Sequence, residues 1–273
     1  MNRERIGFVG AGRVGKGLSL ALSRAGYEIA GIARRGAAQE IADKADIVFL
    51  TVPDDVIESV CQSIQWKRGA AAVHCSGAAD LQVLKKAASD GAAIGGFHPL
   101  QMFGDPEVAA AGLSRCAIAI EAPDSLLEKL NEMVKRLGAT PLHVPSGGRA
   151  AYHAAAHYAA AFFCGSLDEA IEIWKRLGIP PEDGLPALLS LARGALDGIE
   201  RSGPARAMAG SIARGDLPTV KRHVAALATL GPEFSERYCR MALRTIPLAR
   251  AAGGVDETRA EELSAFLWSN LPK

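Results

Sequence analysis

For its first 145 residues the chain alternates short apolar runs with segments of helical period; beyond them it reads as helix alone. The runs "RIGFVG" (5–10), "YEIAGIAR" (27–34), "DIVFLTVPDD" (46–55), "AAAVHCSG" (70–77), "AAIGGFHP" (92–99) and "TPLHVP" (140–145) have strand character. Between them, 14–26, 37–45, "VIESVCQSI", 80–89 and 124–138 space their apolar residues as helices do, and "SRCAIAIEA" (114–122) adds a further apolar run. Successive strands joined through helices pair in parallel, and a parallel sheet must be covered on both faces. The pattern therefore predicts an α/β doubly wound, mostly parallel sheet. After "VPSGG" (144–148) one long helix is expected from about 149 to 178, where "GIPP" stops it. Further helices are expected at 185–201, 217–230, 233–251 and 256–270, with Asp216 and Asp256 as N-caps. The expected organisation is a sheet domain over 1–147 and an all-helical domain over 148–273.

The turn after the first strand, "GAGRVG", sets Gly10, Gly12 and Gly15 in the G-x-G-x-x-G spacing, with a strand before it and a helix opening directly from it. In that context Gly10 permits a tight turn, Gly12 lets the backbone approach a pyrophosphate, and Gly15 lets helix and strand pack closely. Arg13 and Val14 complete the loop. The free amides and partial positive charge of a helix N-terminus favour phosphate there. This is a Rossmann-type dinucleotide-binding signature. An NAD-selecting fold carries an acid at the end of its second strand, about 20 residues on. Here that strand ends "GIARRG", and Arg34, 22 positions after Gly12, stands with Arg35 where the acid would be. Two guanidinium groups suit a ribose 2′-phosphate, so the expected cofactor is NADP(H).

The carboxyl ends of the other strands should line the same crevice. They offer Pro53 and Asp54 from "TVPDD", Ser76 from "HCSGA", and His98 and Gln101 from "FHPLQMF". Each alone has an ordinary structural reading: Asp54 or Ser76 as a helix cap, His98 as a turn residue before proline. Net charge is +1, which gives no support to a nucleic-acid or anionic-membrane partner. Five scattered cysteines without a C-x-x-C pair, together with an N-terminus that runs straight into a strand, lead to the expectation of a reduced, cytoplasmic protein without a signal peptide. No apolar run is long enough to span a bilayer.

The glycine loop, "VPDDVI", "HCSGA", "HPLQMF", "YHAAAHYAAA" and "SIARGDLPTVKRH" (211–223) occur in the order seen in Rossmann-like proteins with a DUF2520 C-terminal domain, which the chain resembles over nearly its whole length. The resemblance implies a branch of the 6-phosphogluconate dehydrogenase-type superfamily, related to pyrroline-5-carboxylate reductase and F420-dependent NADP reductase. Its members are oxidoreductases, some of them ketopantoate reductases. Tyr152 and His153 are the residues it singles out, with the helix that bears them supplying the proton donor in related reductases. Two departures stand out: Ala160 and Ala161 replace a usual Ser-Asn, and Ala209, Gly210 and Ser211 replace a usual Thr-Gly-Pro.

His153 and His157 lie four apart, on one face of a helix. Three readings compete. His153 is a proton donor or substrate binder, both histidines are core or interface residues, or both bind metal. The third lacks the H-E-x-x-H glutamate, and no metal is expected. The expectation is an NADP(H)-dependent reductase of a small carbonyl or imine, a 2-keto acid such as ketopantoate among them. His153, His98 and Ser76 are the candidate catalytic groups, Gln101 and Tyr152 the substrate binders. A homodimer through the helical domain is expected. A non-catalytic NADP(H) sensor and a metal-dependent hydrolase are the alternatives.

Overall fold

The computed structural model describes residues 4–34 and 36–272. Two compact units divide it, 1–160 and 161–273.

The first unit is built on a seven-stranded sheet: β1 (Arg5–Val9), β2 (Glu28–Ala33), β3 (Ile47–Leu50), β4 (Ala71–His74), β5 (Ala93–Pro99), β6 (Ala117–Glu121) and β7 (Thr140–His143), in the order β2-β1-β3-β4-β5-β6-β7. All neighbours are parallel except β5 and β6. The inner strands β3 and β4 are buried at every position and are apolar apart from His74, because both faces of the sheet are covered there. Along β3, Ile47 and Phe49 point into one core with Phe8, Leu18, Leu22, Phe97 and Leu130, whereas Val48 and Leu50 point into the other with Ile41, Ile57, Cys61 and Leu84. Helices α1 (Arg13–Arg24), α2 (Ala38–Lys44), α3 (Ile57–Gln62), α4 (Lys85–Ser89), α5 (Pro106–Gly112) and α6 (Asp124–Arg136) supply those covers, and α7 (Arg149–Ala159) closes the unit. Helix α5 was not in the expectation. Its signal was present: Asp105 caps it by accepting from the amides of Glu107 and Val108, and Pro106 opens it.

The second unit contains α8 (Ala161–Arg176), α9 (Pro181–Ala207), α10 (Leu217–Leu230), α11 (Pro232–Ala251) and α12 (Glu257–Ser269). Its core joins Val220, Val224, Cys239, Ile246, Leu263 and Leu267. Asp216 and Asp256 cap α10 and α12 as expected, accepting from Thr219 N and Arg259 N. The single helix expected over 149–178 is two: Ala160 leaves the helical region at φ −124° and ψ −88°. Alanine is the strongest helix former, so the local sequence holds no stop signal there. The break falls where one compact unit ends and the next begins. No helix among the described residues is long and apolar enough to cross a membrane.

Candidate functional site

The glycine loop has the backbone its spacing calls for. Gly10 sits at φ +121°, and a Cβ there would lie 2.5 Å from Thr51 O. A Cβ on Gly15 would lie 2.1 Å from Gly10 O. Thr51 fastens the turn from below, its hydroxyl donating to Gly10 O at 2.8 Å. At Gly12, by contrast, a Cβ would meet nothing within 4 Å, and no side chain caps α1. The loop is tight toward the protein and open at Gly12, and the first-turn amides of a helix have no intrahelical partner, which suits a phosphate group at this end of α1.

A cavity lies on each side of this loop. One, of about 480 Å³, is lined by Val9, Gly10, Ala11, Ala33, Arg34 and Val52, with Gly36, Ala38, Val60 and Ser63. Arg34 is the only charged residue among these. Arg35 lies outside the described residues. The other, of about 360 Å³, is lined by Val14, Asp54, Cys75, Ser76, Gly77, His98, Pro99, Gln101, Phe103 and His153. The structure thus brings Ser76, His98, Gln101 and His153 to one cavity at the carboxyl ends of β4 and β5. Pro53 turns the chain between Val52, which lines the first cavity, and Asp54, which lines the second. Arg13 is exposed at the start of α1 and lines neither.

Within the second cavity the polar groups are ordered by one another. The Ser76 hydroxyl donates to Asp54 Oδ2 at 2.7 Å and accepts from the amides of Ala78 and Ala79. Its hydrogen is committed to the carboxylate, so Ser76 orients Asp54. Tyr152 does not line the cavity; its hydroxyl and His98 Nδ1 share a hydrogen bond of 2.9 Å. The His98 and His153 rings meet edge to face at 5.5 Å, and those of His153 and His157 at 4.7 Å. The His153 ring rests against Gly77, where a Cβ would stand 2.3 Å from Cδ2. His157 Nδ1 turns to the His153 carbonyl, 2.9 Å away, one helical turn back. Burial, aided by the His153 and Arg149 charges, holds His98 down at about 4, so its ring is neutral at pH 7. Burial raises the Tyr152 phenol to about 12 and the Cys75 thiol likewise to about 12.

Beneath this wall lies a buried polar cluster that sequence reasoning missed. Arg149, the first residue of α7, is fully buried. It donates to Ser76 O at 2.6 Å and faces Glu121 at 3.6 Å. Its guanidinium occupies the space a side chain at Gly96 would need. His74, fully buried at the end of β4, is pushed down to about 3, chiefly by burial and then by the Arg149 charge. Nothing local marks Arg149: an arginine opening an alanine-rich helix reads as surface until the fold places it against β4 and β5. Among the described residues no group of three or more histidine, cysteine or carboxylate side chains converges as metal ligands.

Residues 116–245 match the family profile of DUF2520, a domain of unknown function. The chain carries a DUF2520 domain. That match starts at the edge of β6 and runs through α7, so the DUF2520 region includes the helix bearing Tyr152 and His153. No functionally curated protein matches this DUF2520 chain. Among solved structures, protein TM1727 of Thermotoga maritima is 22% identical with a TM-score of 0.73, over 90% of this chain and 98% of that one. The candidate NADP oxidoreductase BF3122 of Bacteroides fragilis is 22% identical with a TM-score of 0.69, over 89% and 98%. Plasmodium falciparum pyrroline carboxylate reductase, solved with NADP bound, is 13% identical with a TM-score of 0.64, over 97% and 98%. At these identities the likeness is one of fold.

Proposed function

We propose that this DUF2520 protein is an NADP(H)-dependent reductase of a small carbonyl or imine compound. The observation that carries the reading is the pair of cavities flanking one glycine loop, the first with Arg34 as its charged lining residue and the second with Asp54, Ser76, His98 and His153. The residues present fit the dinucleotide. The open backbone at Gly12 and the α1 amides would hold the pyrophosphate, and Arg34 would pair with the 2′-phosphate. When bound, the reduced cofactor supplies a hydride. Reduction also needs a proton on the heteroatom, and His153 is the group proposed to hold it. Neutral His98, hydrogen-bonded to Tyr152, sets the position of the neighbouring imidazole. None of the five cysteines is joined to another in a disulfide, and a cytoplasmic setting fits that arrangement.

The test is a fluorescence titration of both reduced cofactors. NADPH should bind more tightly than NADH. Arg34→Asp should erase the preference, a loss of about 1.5–3 kcal/mol for a charged hydrogen-bond partner. Gly12→Val should fold normally, since a side chain there meets open space, yet bind neither cofactor. Equal wild-type affinities would remove the assignment of NADP(H).

We also propose that the second unit pairs with a second copy of itself. Leu191, Leu196 and Ile199 on α9 are exposed, and an apolar groove of about 910 Å³ runs along α9 beside Met208 and Leu248. Exposed apolar surface of that kind marks an association site. Sedimentation of a monomer at micromolar concentration would exclude it.

A further inference from the structure

Among the described residues, the second cavity is lined by one carboxylate and by no lysine or arginine. That carboxylate is Asp54. Among the described residues no cation stands within ion-pair distance of Asp54: one oxygen accepts from Ser76, and no contact is found for the other. Arg149 is fully buried, faces Glu121 and does not line the cavity, so a ligand there cannot pair with it directly. His98 is neutral at pH 7. Phe103 adds an aromatic ring to the lining, and aromatic faces attract cations and not anions.

We propose that the substrate of this cavity is an imine that becomes cationic as it reacts, with Asp54 as its counter-ion, and not a 2-keto acid. The proposal rests on the reductase reading above and narrows its substrate class. A 2-keto acid brings a permanent carboxylate, which would face Asp54 with no arginine or lysine to receive it. An imine brings the opposite charge at the moment it matters. The nitrogen lone pair takes a proton from His153, giving an iminium beside the Asp54 carboxylate. The imine carbon then gains a hydride with its electron pair from the reduced nicotinamide, which is thereby oxidised. The C=N π pair moves to nitrogen, and the product is a neutral amine. His153 recovers its proton from water. Ser76 is the positioning residue: by holding one carboxylate oxygen it leaves the other for the substrate N–H.

The test compares ligands of matched size on the protein loaded with NADP⁺. 2-Methylpyrrolidine, a cation at pH 7, represents the iminium and the amine product once that has taken up a proton. 2-Hydroxy-3-methylbutyrate represents the product of a keto acid. Calorimetry should show the amine binding at least about tenfold more tightly, the factor a charge-assisted hydrogen bond supplies. Asp54→Asn should lose about that factor for the amine, keep NADP⁺ affinity, and leave the carboxylate bound no more weakly. Asp54→Glu should restore part of the loss. NADPH oxidation should favour 2-methyl-1-pyrroline over 2-keto-3-methylbutyrate in kcat/KM by a similar factor. Tighter binding of the carboxylate, unchanged amine affinity in Asp54→Asn, or binding of neither ligand would overturn the proposal while NADP⁺ still binds. A wild-type protein that binds no NADP⁺ would overturn the reductase reading itself.

Discussion

Arg149 offers the sharpest test of how the site is supported. The guanidinium is fully buried, yet its compensation is partial: Nη2 reaches Ser76 O at 2.6 Å, Glu121 stands at 3.6 Å, and Nε and Nη1 lack hydrogen-bond partners, as does Glu121 Oε2. An ion pair so placed offsets little more than its own desolvation, but removing one member leaves the other charged and buried. Arg149→Met should therefore cost about 3–5 kcal/mol. Adding Glu121→Leu removes the stranded charge, and the double variant should recover most of that loss. Urea unfolding followed by Trp66, buried in the first unit, reads the effect once Trp174→Phe and Trp268→Phe have silenced the other two tryptophans. With a slope of about 2 kcal/mol per M, the single change should lower the midpoint by roughly 1.5–2.5 M. A shift below about 0.5 M, or a double variant as unstable as the single one, would refute the reasoning.

Two further outcomes are expected. His74 and His98 are held at about 3 and about 4, below the 6.5 of an ordinary histidine, so the unfolded chain binds more protons between those values and 6.5. Their contribution to stability is complete above pH 6.5 and is lost as pH falls through that window, by up to about 1.4 kcal/mol per pH unit for each ring. Urea midpoints at pH 5 and 7 measure the slope, which His74→Leu should roughly halve; a flat profile would contradict it. His153→Ala should keep NADPH affinity and lower kcat by about 10²–10⁴-fold, as loss of a general acid does. Gly77→Ala, which displaces the His153 ring, should move kcat the same way, and an unaltered kcat in His153→Ala would remove that residue from the chemistry.

What the sequence determined by itself is what depends on neighbours along the chain. The alternation of apolar runs and helical periods specifies strands, helices and a sheet covered on both faces, because side-chain direction repeats every 2 or 3.6 residues whatever the rest of the chain does. The glycine loop was legible for the same reason: Gly10, Gly12 and Gly15 act within one turn. Arg34 followed from its distance along the second strand. Helix α5 was legible too, through Asp105 and Pro106, although the apolar period alone did not disclose it. The tertiary structure decided what depends on residues far apart. His98 meets Tyr152 across 54 positions, and Arg149 meets Ser76 across 73. Nothing near Arg149 announces burial, nothing near Ser76 names Asp54 as its partner, and the alanines around Ala160 carry no signal that the helix stops there. Those features arise when β4, β5 and α7 come together: burial and charge then act through space, and set which polar groups face the cavity, which are sealed behind it, and why His74 and His98 are held neutral.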